Sequence, residues 1–315
     1  MDVRKLVKSG HASLVLAIPK GWLTKHNLKA GDLVYIDESH GQLIIKHEKQ
    51  EAKVSQREIV LNVDGMKPEI IPFEIATAYM SNYRYIIVKG KTLPKVLEIV
   101  KDSIVELVAL ELIDESSERV VARNFLNIND IDTKILVRRM DNIIRSMIMD
   151  TKDAVKDPSI IPAIVNRDKE VNRLTFLMYK ILKAVHCDRN LMRKLNLSEL
   201  DILRLWGTNI HLEKIGDRVK HAAKIIPDMK PKEKTEFLKF YTEIEKMYTD
   251  VMKASYQNSL SLADDASIRR KAVLKSIDAY INKHKSYAAA EIAINTFSMI
   301  QLVNNIARLL RYLKS

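Results

Sequence analysis

Apolar residues recur with a 3.6-residue period through six long segments, 132–156, 160–187, 197–226, 232–260, 266–285 and 288–314, and this pattern constrains the fold more than any other feature. The breaks are short: DPSIIP at 157–162, the Asn196–Ser198 region, PDMKPK at 227–232, and Asp264-Asp265. Helices this long on short connections lie antiparallel, and the prolines at 227 and 231 divide six of them into two halves of three. The expectation is a chain that is mainly α with a small β N-terminal domain. Its C-terminal part, repeat 1 over 132–227 and repeat 2 over 232–315, is then a doubled three-helix bundle.

The residues before the bundle are of another kind. Within 1–50, apolar runs at Leu14–Ile18, Leu33–Ile36 and Leu43–Ile45 are bounded by turn residues and read as short strands, with a short helix over 21–28. Residues 51–58 are polar, without apolar period, and read as a linker. Residues 59–131 read as a small α/β connector, with helices at 68–82 and 93–106, a strand at 85–88, and a hairpin over 107–125.

Charge narrows the partners. The net charge of +12 divides into +3 over 1–50, −3 over 51–130 and +12 over 131–315. A basic balance favours polyanions such as nucleic acid, phosphate-rich ligands or an anionic surface. With aromatic residues at 6%, a stacking platform for single strands is excluded. One cysteine, Cys187, excludes a disulfide framework and a multi-cysteine metal site. No apolar run approaches the roughly 18 residues of a membrane span, so the expectation is a cytoplasmic chain that is not membrane-embedded.

The segment RKLVKSGHASLVLAIPKGWLTKHNLKAGDLVYIDESHGQLIIK carries a first resemblance. Ile18-Pro19-Lys20 followed by Leu28-x-x-Gly31-Asp32-x-Val34 and a closing hairpin resembles the AbrB/SpoVT/MazE swapped-hairpin domain. The resemblance implies a β-barrel completed by a second copy of the chain, hence a homodimer. It also implies DNA binding through Arg4, Lys5, Lys8 and Lys20, with Lys25 and Lys29 as weaker candidates. So few strands cannot bury enough apolar surface alone, which is a physical reason to expect the dimer. The plainer reading makes the same residues solubilising charges on a barrel that only dimerises.

A second resemblance lies in the bundle. Leu212-Glu213-Lys214-Ile215-Gly216-Asp217-Arg218 resembles the E-R-I-G-D-R signature of PhoU phosphate-uptake regulators, and Asp168-Lys169-Glu170-Val171-Asn172 resembles an upstream segment of that family. The domain order resembles archaeal PhoU-like regulators. It implies control of phosphate uptake by a DNA-binding protein, with the phosphate transporter's ATPase or a sensor kinase as docking partners in the alternative that uses the barrel only to dimerise.

Independently, Glu213, Asp217 and His221 stand at i, i+4 and i+8 and form one stripe, away from Leu205, Leu212, Ile215, Val219 and Ala222. Asp168 and Asn172 repeat the spacing on a preceding helix. Three carboxylates, an imidazole and an amide oxygen suit Fe, Mn, Zn or Mg rather than a soft metal. The competing reading is a solvated charged face, its like charges offset by Lys214, Arg218 and Lys220. Aligning the last helix on the third sets Gln301 and Asn305 opposite Glu213 and Asp217. Neutral amides lack the charge to hold a divalent ion, so at most one carboxylate site per chain is expected. Neither a Gly-rich phosphate loop nor an H-E-x-x-H pattern occurs, and no nucleophile has a His/Asp neighbour, so an enzyme is not expected.

Overall fold

The computed structural model describes residues 3–10, 13–39, 42–47 and 58–313. The chain divides into two compact units, residues 1–55 and 56–315. The 51–57 part of the expected linker lies outside the described residues, and Glu58 is not linker but the first residue of a strand.

In the first unit β1 (Val7–Ser9) pairs antiparallel with β2 (Ser13–Val15), and β3 (Tyr35–Ser39) pairs antiparallel with β4 (Gln42–Lys46). Between them α1 (Lys20–Lys25) begins after Pro19 and stops short of the expected 28. The reason is Asn27, whose φ of 53° is left-handed and ends the turn, while the Leu28 amide donates back to the Leu23 carbonyl at 2.9 Å. No described residue of this unit is buried. Leu14, Ile36 and Leu43 are each more than 60% exposed.

The second unit opens with a four-stranded sheet. Its strands are β5 (Glu58–Asn62), β6 (Tyr85–Lys89), β7 (Leu110–Glu115) and β8 (Arg119–Asn124), in the order β5-β6-β8-β7. Helix α2 (Ile71–Met80) makes the crossover that parallel β5 and β6 require, and α3 (Leu93–Val105) leads to the β7–β8 hairpin. β5 is not legible in the sequence, because only Leu61 of its residues is buried and the strand follows directly on a polar stretch.

Six long helices follow: α4 (Thr133–Asp153), α5 (Ile161–Cys187), α7 (Glu199–Ile225), α8 (Pro231–Gln257), α9 (Leu260–Lys283) and α10 (Tyr287–Tyr312). A short α6 (Arg189–Lys194), not expected, lies between α5 and α7, capped by the Asp188 carboxylate. Local chemistry sets the boundaries. Asp132 caps α4, Ser198 and Asp201 form a reciprocal capping box on α7, and Pro231 takes the first position of α8. The break expected at Asp264-Asp265 falls instead at Asn258, whose φ of 51° stops α8; both aspartates lie inside α9.

One continuous apolar core runs from Ile128 to Leu310 through all six long helices. α4, α5 and α7 pack together, as do α8, α9 and α10, and α7 and α10 join the halves. They approach closely at Gly207, where a β-carbon would stand 2.7 Å from Leu309 Cδ1. The α/β layer belongs to the same unit, with α2 packed on α5. Among the described residues no helix is long and apolar enough to cross a membrane.

Candidate nucleic-acid interface and carboxylate cluster

The four expected DNA-binding residues are all exposed. Arg4 and Lys5 lie in the extended stretch before β1. Lys8 lies within β1, opposite Leu14, and Lys20 opens α1. A short hairpin with a flat ladder and a one-and-a-half-turn helix hold them, so backbone hydrogen bonding rather than side-chain packing sets their positions. Such charges can meet phosphate oxygens without any desolvation cost from a surrounding pocket.

The carboxylates of the bundle are arranged differently from the expectation. Asp168 on α5 is 3% exposed, and Glu213 and Asp217 on α7 are half-buried, so the acids do not face away from the core; Asp168 sits at the seam where α5 packs on α7. Lys220, three residues beyond Asp217, brings its ammonium to the middle. Nζ donates to Asp168 Oδ2 at 2.5 Å and to Asp217 Oδ1 at 2.6 Å. Burial works to lower the Lys220 pKa, but the bonds to Asp168 and Asp217 outweigh it and hold the ammonium protonated above its ordinary range.

Glu213 is pushed up to about 7, first by burial, then by the charge of Asp217 and a hydrogen bond with it. Burial and the neighbouring Asp217 thus favour the protonated form of Glu213, while Lys220 bridges the two aspartates. His221 is exposed at the edge of the cluster, close enough to act on Asp168 electrostatically. Asn172, one turn beyond Asp168, is half-buried and makes no hydrogen bond to the cluster among the described residues.

These residues do not fit a resident metal. An ammonium already takes one oxygen of Asp168 and one of Asp217. Among the described residues no three His, Cys, Asp or Glu side chains form a group able to hold a metal ion. The expected set of Glu213, Asp217, Asp168, His221 and Asn172 is thus not brought together as a three-ligand group among the described residues. The cause is the i, i+3 spacing of Asp217 and Lys220, which sets a cation on the acids' own face.

Lys180 and Asp141 are buried charges that the sequence pattern does not by itself reveal. Lys180 is fully buried on α5; its Nζ donates to the Tyr79 carbonyl at 2.6 Å and lies 4.3 Å from that ring's centroid, joining the α/β layer to the bundle. With no carboxylate beside it, burial lowers its pKa to about 7. Asp141 on α4 is 2% exposed, paired with Arg145 at 2.8 Å, and accepts the Tyr256 hydroxyl of α8 at 2.8 Å. Lys180 had one signal: it stands among Leu177, Met178, Ile181 and Leu182.

Comparison with known proteins supports the two-part reading. Residues 137–226, from within α4 to the end of α7, match the family model described as the PhoU domain. Residues 7–53 match the model described as antidote-toxin recognition MazE, bacterial antitoxin. No curated protein matches. Among solved structures the chain is similar to the crystal structure of PhoU from Pseudomonas aeruginosa, at 13% identity and a TM-score of 0.38, over 57% of this chain and 91% of that one. The chain is thus similar to the MazE-type antitoxin domain over residues 7–53 and to the PhoU domain over residues 137–226, within the first half of its helical bundle.

Proposed function

We propose that this protein is a DNA-binding regulator of phosphate uptake. The MazE-type domain dimerises and grips DNA, while the PhoU-type bundle senses a signal or docks on a partner. The observation that carries the reading is a strand unit whose four expected DNA-binding cations are all exposed and whose described positions include no buried residue. An apolar set left open in one chain gains its burial from a second copy, and two-fold symmetry then doubles the cations to eight. Releasing one counterion per neutralised phosphate gives a log–log salt slope near −7, at about −0.9 per contact.

A gel-shift titration of the full chain on duplex DNA across salt tests this, followed by a genome-wide binding profile. A steep salt slope with peaks at phosphate-transport promoters is the expected result; no shift even at low salt overturns DNA binding. The second reading is a protein that docks on a phosphate transporter's ATPase or a sensor kinase and uses the barrel only to dimerise. It draws on a groove along α4 and α5 lined by Arg138, Arg139, Asn142, Arg167 and Glu170, a net basic set in which Glu170 pairs with Arg139 and which suits an acidic partner surface.

A further inference from the structure

We infer that Lys220 stands in for a divalent cation, so that the carboxylate cluster of the first half of the bundle is closed by an ammonium belonging to the chain itself. The geometry is that of a cation shared between two helices: Nζ lies 2.5 Å from an oxygen of Asp168 on α5 and 2.6 Å from one of Asp217 on α7. The Lys220 side chain is only 17% exposed and Asp168 4%, so this is no solvated surface pair but a partly dehydrated charge at a helix seam.

A metal ligated by the same two oxygens would have to sit within about 2.0–2.6 Å of both, in the space the ammonium holds. It would also have to expel a positive charge whose stem packs along α7. The other Asp168 oxygen, Oδ1, is buried without a hydrogen-bond partner and lies 3.5 Å from where a β-carbon on Gly216 would stand, so it is turned toward the α7 backbone. Glu213, the remaining acid, is half-buried on the same helix as Asp217. One positive charge thus does for these acids what a metal does elsewhere: it offsets the desolvation of carboxylates brought together by helix packing. The consequence is a seam between α5 and α7 that stays closed whatever the metal supply.

The test uses the full-length protein and Mn²⁺ or Zn²⁺ alone. Wild-type protein, exposed to excess metal and then gel-filtered, retains well under one equivalent at this cluster, and its melting temperature is the same with added Mn²⁺ or with chelator. Lys220→Ala empties the central position. This variant melts lower, gains about one equivalent of metal and recovers stability when metal is added, as any ligand binding only the folded state must cause. The gain disappears when Asp168→Asn is added. Lys220→Gln, uncharged and close in length, serves the same purpose should the alanine variant fail to fold. The inference is overturned if wild-type protein retains about one equivalent that Asp168→Asn or Asp217→Asn removes, or if folded Lys220→Ala and Lys220→Gln both take up no metal.

Discussion

The N-terminal strands and the helical bundle treat their apolar residues in opposite ways. In the strand unit Leu14, Ile36 and Leu43 stand more than 60% exposed and no described residue is buried. In the bundle Met140, Ile144, Ile181, Leu212, Ile244 and Ile300 are wholly buried in one core. Two-stranded ladders of three to five residues are marginal on their own, whereas amphipathic helices of more than twenty residues bury a stripe against each other within one chain. The difference teaches that the bundle is complete by itself and the strand unit is not. In the proposed reading a second chain covers what the strand unit leaves open.

The largest expected effect comes from separating the two. A chain lacking residues 1–55 keeps its helical circular dichroism and a cooperative melt, and loses at least about 100-fold in affinity for duplex DNA at low salt, as removal of most phosphate contacts requires. Retention of full affinity would move the binding face to the basic helices and break the comparison.

A charge set into the exposed apolar set comes next. In a lone chain Ile36→Lys touches nothing buried and is nearly neutral; in a dimer that covers Ile36 it costs about 2 kcal/mol and weakens association roughly 30-fold. Analytical ultracentrifugation of the wild type and this variant decides between the two.

Within the bundle, Lys180→Met replaces a buried cation by an apolar group of similar length. The Tyr79 carbonyl keeps a partner in the Asn82 amide at 3.1 Å, so nothing is orphaned. The folded-state pKa of Lys180, about 7, lies below its ordinary 10.5, so the unfolded chain holds more protons between these values. Wild-type stability therefore climbs as pH rises from about 7 towards 10 and is flat below 7, where Lys180 is charged in both states. The methionine variant lacks this climb; it is more stable than wild type by about 2 kcal/mol below pH 7, and the difference shrinks and then reverses as pH rises towards 10. Chemical denaturation at several pH values measures it; a parallel pH dependence in both proteins would show that Lys180 is not the titrating group.

The smallest effect is that of one phosphate contact. Lys20→Ala, made twice in a dimer, lowers the salt slope by about two and weakens DNA binding several-fold without altering the melt. An unchanged slope would remove Lys20 from the interface.

Legibility in the sequence followed the range of the interactions. The six long helices were readable because their periodic stripes and end signals, such as Ser198 with Asp201 and the proline at 231, act within a turn or two. Asn258 ended α8 where the aspartates at 264 and 265 had suggested a break, because a left-handed residue leaves no periodicity to read. β5 was hidden because a parallel strand earns its place only through β6, well along the chain. The acidic stripe of Glu213 and Asp217 was visible, as was Lys220 as a charge able to offset it; that the lysine closes the cluster was not.

By itself the sequence determined the local order of this protein: where helices start and stop, which faces are apolar, and where the cations of the N-terminal strands lie. Only the tertiary structure decided the state of its buried charges. Asp168 and Lys220 are 52 residues apart, Lys180 and the Tyr79 carbonyl 101, and each pair meets because helix packing closes the distance. The physical reason is that a charge's cost depends on the water taken from it and the partner put in its place. Both are set by which helices adjoin, not by the neighbours in the chain.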